Sequence, residues 1–169
     1  MTDSTKTLIC PACGKEMEKI FVKKANCFVD ICTNGCGGIF FDNREYKKFD
    51  ESFENIDEIK SALEGKAFIE VDKTFKRICP ACGMKMIKNS TSIKGDIIID
   101  ECYRCGGKFL DYKELDNIRS EYATEEERSQ AVVDYLKQKM GSEFEEMHKE
   151  KTAPKKPSGI VKGIIDKFL

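Results

Sequence analysis

The most regular pattern in the sequence is a pair of short apolar segments separated by polar residues, and it occurs twice. In the first occurrence residues 19–22 and 27–31 flank a polar turn, and in the second residues 84–88 and 97–99 flank a longer one. Short runs of β-branched and aromatic residues bounded by polar turns are typical of paired strands. The pattern therefore predicts two β-hairpins.

Helix signals follow each predicted hairpin. Residues 42–45 and 111–114 both have the form D-x-x-E, which is typical of a capping box at the start of a helix. Residues 55–63 predict a further helix that ends at Gly65. Residues 67–75 alternate weakly between apolar and polar positions, which favours a strand that leads into the second hairpin.

A long helix and a short one are predicted after the second hairpin. Thr124 to Glu127 is another capping box, and the apolar residues that follow it at helical spacing are Val132, Leu136, Met140, Phe144 and Met147. Residues 151–158 contain two prolines and are typical of a linker. Residues 159–169 predict a short basic amphipathic helix, whose apolar face we expect to dock on a partner, a membrane surface or the protein's own helices.

The two hairpins belong to one internal repeat. Its positions recur at a constant offset, apart from two compensating register slips around the third cysteine, and the recurring pairs include Cys10 and Cys79, Cys13 and Cys82, Cys36 and Cys105, Gly38 and Gly107, Phe40 and Phe109, Asp42 and Asp111, and Glu45 and Glu114. Two copies indicate two similar modules rather than a solenoid. Phe40, Phe41, Phe109 and Leu110 are expected to be core residues beneath the cysteines.

Composition changes the picture mainly through its cysteines. The chain has 169 residues, nine of them cysteine, with one histidine, His148, and a net charge of −1. No segment has the form of a signal peptide or of a membrane span. We therefore expect a cytoplasmic protein with reduced thiols, in which paired cysteines bind metal more often than they form disulfides. The charge balance disfavours broad, non-specific binding to DNA.

Eight cysteines form four close pairs. The spacing is C-x2-C and C-x3-C in the first copy and C-x2-C twice in the second. Two such pairs brought together by a hairpin supply the four thiolates of a tetrahedral zinc site. The predicted ligands of two Zn²⁺ ions are Cys10, Cys13, Cys32 and Cys36 in the first site, and Cys79, Cys82, Cys102 and Cys105 in the second. Structural zinc supplies an apparent ~10–16 kcal/mol in small zinc modules, so the metal is expected to provide most of each module's stability.

Different chemistry for the same cysteines stays open at this point. Tetrahedral sulfur sites also take iron, as in rubredoxin-like sites. Disulfides and thioredoxin-like redox pairs stay open as well, although the predicted elements do not form the βαβ context of the latter. Cys27 aligns with the apolar Ile97, which favours a small buried side chain over a redox sensor.

The sequence resembles the bacterial zinc-ribbon family named after the ribbon of transcription factor IIB. That pattern is C-P-x-C-G, a hairpin, and C-x-x-C-G-G-x-aromatic-aliphatic-D-x-x-E-L, and the second copy matches it at 79–83 and 102–115. The first copy departs by an extra residue between the cysteines at 32–36, by Phe41 for the aliphatic residue and by Tyr46 for the leucine. The resemblance covers roughly half of the chain and implies zinc binding, and the family name supplies an expected link to transcription.

Together these patterns predict an α+β protein with two zinc-ribbon β-hairpin modules and their capping helices, then a long helix and a short amphipathic tail. The predicted segments are ribbon 1 with its short helix at 7–50, a helical or strand connector at 51–75, ribbon 2 with its short helix at 76–119, the long helix at 123–150, the linker at 151–158 and the tail at 159–169.

The expected function is a protein-interaction module with structural zinc and no enzyme activity. Four protein thiolates on each metal leave no open coordination position for water or substrate. A second hypothesis is nucleic-acid binding through the hairpins, since the second ribbon is locally basic at Lys73, Lys76, Arg77, Lys85, Lys88 and Lys94. A third hypothesis is a redox or zinc-stress sensor that uses Cys27 or a looser first site, and a fourth is iron-based electron transfer.

Overall fold

A computed structural model describes residues 6–91 and 93–141. The chain divides into two compact units, Met1–Arg128 and Ser129–Leu169. The predicted linker and tail, His148 and residues 142–150 of the predicted long helix lie outside the described residues. Among the helices of the described residues, none combines the length and the apolar character that a membrane crossing requires.

The first unit contains one antiparallel sheet of six strands in the order β1-β2-β3-β6-β5-β4. The strands are β1 Glu18–Val22, β2 Cys27–Ile31, β3 Ile39–Phe41, β4 Ile87–Ser90, β5 Ile98–Glu101 and β6 Lys108–Leu110. The two predicted hairpins are confirmed as β1–β2 and β4–β5. Gly95 lies between β4 and β5 with a φ of 77°, a backbone conformation that favours glycine in a turn.

The short strands β3 and β6 join the two repeats into one sheet. They pair antiparallel, with Phe40 opposite Phe109. Since these two phenylalanines occupy equivalent positions of the repeat, an approximate twofold axis passes between them and relates the two ribbons. This pairing was not predicted from the sequence.

Helical segments follow the ribbons. A 3₁₀ helix, Tyr46–Lys48, and then α1, Asp57–Leu63, come after β3; α2, Glu114–Ser120, comes after β6; and α3, Glu125–Met140, begins in the first unit and continues in the second. The strand predicted at 67–75 is wrong. This segment bonds to a cysteine loop instead of a neighbouring strand, because the Ile69 N–H donates to the Gly35 carbonyl at 3.0 Å.

Each D-x-x-E sequence forms half of a capping box. Glu45 Oε2 accepts from the Asp42 N–H at 2.9 Å, and Glu114 Oε2 accepts from the Asp111 N–H at 2.8 Å. The residue before each glutamate is left-handed, with a φ of 73° at Arg44 and 69° at Lys113. The chain therefore turns sharply before either helical segment begins, and neither Asp42 nor Asp111 is the N-cap residue.

Alternation along the strands divides the apolar residues between two clusters. One face of the sheet packs under the helical segments, in a cluster that includes Phe41, Tyr46, Phe49, Ile59 and Leu115. The cluster on the other face contains Phe40, Phe109 and the cysteines. As expected, Phe40, Phe41, Phe109 and Leu110 are all core residues with no exposed surface. The expectation that all four lie beneath the cysteines is wrong for Phe41 and Leu110, because their side chains point to the opposite face of the sheet and pack under the helices.

Candidate metal centres

The first cysteine pair of each ribbon lies in a tight loop. The Cys10 N–H donates to the Lys15 carbonyl at 2.8 Å, and the Gly14 N–H donates to the Cys10 carbonyl at 2.9 Å. The second ribbon repeats this loop with Cys79 and Gly83. Both glycines have a φ of 74°, which side chains disfavour, so the glycine after the second cysteine is a requirement of the loop.

The second pair lies just before β3 or β6. The Gly37 N–H donates to the Cys32 carbonyl at 3.1 Å, and the Gly106 N–H donates to the Cys102 carbonyl at 2.8 Å. The extra residue of the first ribbon is accommodated by Gly35, where an added Cβ atom would lie 2.6 Å from Cys32 Sγ and 2.8 Å from Cys13 Sγ. The longer spacing is therefore compatible with clustered sulfurs only because that residue has no side chain.

The structure brings each predicted set of four cysteines together. In the first group Cys10 Sγ lies 3.5 Å from Cys36 Sγ, and Cys13 Sγ lies 3.4 Å from Cys32 Sγ. The second group has equivalent distances of 3.5 and 3.4 Å. Within each group the four sulfur atoms all lie within 4.8 Å of one another.

These sulfur distances fit a zinc ion. A disulfide requires an S–S bond of about 2.05 Å, and none of the eight clustered cysteines forms one. A tetrahedron with Zn–S bonds of ~2.3 Å places its sulfurs ~3.8 Å apart, close to the observed separations. Each group could therefore hold one Zn²⁺ ion. The assignment of the individual cysteines as ligands stays a prediction.

The thiols of the first group share hydrogen bonds that pull their pKa values apart. Hydrogen bonds from Cys10 and Cys36 lower the pKa of Cys32 to about 2, whereas those with Cys32 and Cys36 raise the pKa of Cys10 well above its ordinary value. Four adjacent thiolates repel one another, so the group needs a divalent cation before all four can ionise.

The two groups differ in how well they are enclosed. Cys13 is the half-buried member of the first group, whereas the second has two, Cys82 and Cys105. The connector explains the difference, because its Phe68 packs on Tyr112, with ring centroids 4.5 Å apart, beside Gly37 of the first group. The expectation of a looser first site is therefore wrong in terms of burial: the second group is the more open one.

A buried arginine lies beside the second group, where the sequence pattern had indicated part of a basic surface. Arg77 Nη1 donates to Asp100 at 2.7 Å, and Nη2 donates to both oxygens of Asp111, at 2.7 and 2.9 Å. Its guanidinium also lies over the Phe109 ring, 4.8 Å from the centroid. The first ribbon has Leu8 at the equivalent position. The recurring aspartates could have signalled a buried cation, since charged groups at core positions need partners.

Cys27 lies apart from both groups. It is half-buried at the start of β2 and packs against the apolar cluster under the helices. This is the place expected for a small core side chain.

A protein-family model matches the chain at two places. A family model described as transcription factor zinc-finger matches residues 9–51 and again residues 78–121. Together the two matches cover more than half of the chain and contain all eight clustered cysteines. Comparison with curated proteins found no match, and neither did comparison with solved structures.

Proposed function

The chain belongs to the transcription factor zinc-finger family, and from that premise we propose that it is a zinc-binding protein whose paired ribbons form a protein-interaction module. The observation that carries the proposal is the assembly of two closed groups of four sulfurs on one sheet. Such sites stabilise a small fold and leave its remaining surface for binding. The family description is what supports a link to transcription.

We propose further that the zinc ions are structural and that the protein is not an enzyme. With four thiolates on each ion, substrate or water would have to displace a protein ligand. The ligand assignment has a direct test, namely the zinc content of single cysteine variants. Wild type is expected to bind two ions per chain, and Cys32→Ser or Cys102→Ser to lose the ion of its own group.

The contacts of the basic residues in the second ribbon favour a protein partner over nucleic acid. Arg77 is buried in ion pairs, Lys88 lies 3.2 Å from Asp100, and Lys73 lies 3.3 Å from Glu114. Lys94 lies over the Tyr122 ring. Binding to a phosphate backbone needs clustered positive charge that faces solvent. Burial removes Arg77 from such a cluster, and acidic partners offset the charges of Lys73 and Lys88, although the Lys73 side chain is 60% exposed.

Exposed aromatic side chains offer an apolar contact surface. Phe21 and Phe28 lie side by side on the first hairpin, with ring centroids 4.9 Å apart, and are 41% and 39% exposed. The second hairpin has Ser90 and Ile98 at the equivalent positions. Surface-exposed aromatic pairs are enriched where proteins bind other proteins.

Photo-crosslinking in cells that express the protein tests whether its partner is a protein or a nucleic acid. A benzophenone amino acid would replace Phe28, and in a matched control it would replace Ile98, which is similarly exposed on the second hairpin. Protein adducts that form at position 28 in clear excess over position 98 are expected. Adducts to RNA or DNA would support nucleic-acid binding instead, and equal labelling at both positions would contradict a role for the aromatic pair.

A further inference from the structure

Two phenylalanine rings are exchanged between the ribbons. Phe109, on β6 of the second ribbon, lies directly against Gly38 of the first, where an added Cβ atom would overlap the ring. Reciprocally, Phe40 of the first ribbon lies against Gly107 of the second, where an added Cβ would be 2.5 Å from Phe40 Cζ. Neither ring has exposed surface.

The two glycines that these rings contact also accept backbone hydrogen bonds from the metal-binding loops. The Gly38 carbonyl accepts from the Cys32 N–H at 2.9 Å, and the Gly107 carbonyl accepts from the Cys102 N–H at 2.8 Å. A Cβ on Gly107 would also lie 3.4 Å from Cys105 Sγ. Each ring therefore presses on a backbone segment that orients cysteines of the opposite ribbon.

The glycine before each of these two is also contacted by a side chain of the other ribbon. Tyr112 of the second ribbon packs against Gly37 of the first, and Asn43 of the first packs against Gly106 of the second. A single buried cluster contains cysteines of both groups, and Phe40 and Phe109 are its aromatic members. The metal-binding loop of each ribbon is thus covered by side chains of the other.

We propose that Phe109 is a positioning residue for the first metal site and Phe40 for the second, so that each zinc ion is retained by a ring from the opposite repeat. The inference rests on zinc binding at both groups and is independent of the partner. The ring excludes water from the loop and fixes the glycine whose carbonyl anchors a ligand cysteine. Groups that orient metal ligands typically change metal affinity by about 10–100-fold, and here the effect crosses between repeats.

Site-resolved zinc release tests this crossed arrangement in the full chain. Zinc-loaded protein would be mixed with a chelator and an alkylating reagent, and mass spectrometry would follow labelling of each cysteine peptide. Phe109→Ala is expected to speed labelling of the first group by about tenfold relative to the second, and Phe40→Ala to do the reverse. Phe41→Ala is the matched control, because Phe41 is equally buried on the same strand but packs in the other cluster.

The outcomes separate crossed positioning from a general loss of stability. Faster labelling of a variant's own group, or the same pattern with Phe41→Ala, would overturn the inference. If Phe109→Ala does not fold, Phe109→Leu and Gly38→Ala replace it. Both are expected to release the first ion faster than wild type does. Wild type without zinc would refute the zinc function as well, whereas two bound ions without a crossed pattern would refute the inference alone.

Discussion

Replacing Arg77 with leucine, the residue that ribbon 1 carries at the equivalent position, removes the centre of a buried charge network. Arg77 is 1% exposed, and its guanidinium supplies both hydrogen bonds that join it to Asp111. Removal of one partner from a buried ion pair typically costs about 3–5 kcal/mol, because the remaining charge stays buried without compensation. Asp100 retains Lys88, so we expect a loss near the lower end, about 3 kcal/mol.

Urea titration of the zinc-loaded protein at fixed free zinc, followed by far-UV circular dichroism, measures this loss. Lys88→Leu is the control, since it removes a partner of the same aspartate. The Lys88 side chain is 34% exposed, so its loss should cost about 1 kcal/mol or less. Adding Asp111→Asn to Arg77→Leu should restore part of the stability by removing the orphaned charge. The reasoning is refuted if Arg77→Leu costs no more than Lys88→Leu.

The remaining predictions concern the metal, one loop and one helix. Chelation is expected to unfold both ribbons, since zinc supplies an apparent ~10–16 kcal/mol in small modules, and an unchanged circular dichroism spectrum would contradict this. Zinc affinity should rise with pH up to the ordinary pKa of the thiols, because protons compete for the sulfurs; a flat pH profile would argue against thiolate ligands. Gly35→Ala should weaken zinc binding at the first group by about tenfold, since the new Cβ meets two sulfurs, whereas Asn34→Ala, exposed in the same loop, should not. Thr124→Ala removes the acceptor of the Glu127 N–H, which lies at 3.1 Å, and should lower the free energy of opening at the start of α3 by ~1 kcal/mol. Amide hydrogen exchange measures this free energy, and Thr124→Ser should keep the wild-type protection.

Sequence patterns were sufficient for the features that depend on local spacing. The hairpins follow from apolar segments separated by turns, and the sulfur groups follow from close cysteine pairs at both ends of a hairpin. Even the extra residue before Cys36 did not prevent the prediction of the first group, and the structure explains why, since that loop contains Gly35.

Features that depend on pairing between the repeats could not be predicted in the same way. Strands β3 and β6 have three residues each, too few for an alternation pattern, and each is defined by a partner far away in the sequence. Burial of Arg77 depends on two aspartates that the fold brings together, and a count of basic residues cannot distinguish it from an exposed lysine. The D-x-x-E motif predicted a helix start correctly only in part, because Asp111 binds Arg77 instead of capping α2.

The covalent link between the two ribbons makes the β3–β6 contact independent of protein concentration. Separate ribbons would associate in a second-order equilibrium and come apart on dilution. A covalent connection gives its two ends an effective concentration that does not fall on dilution. A single copy of the chain in a cell can therefore assemble its sheet without waiting for another.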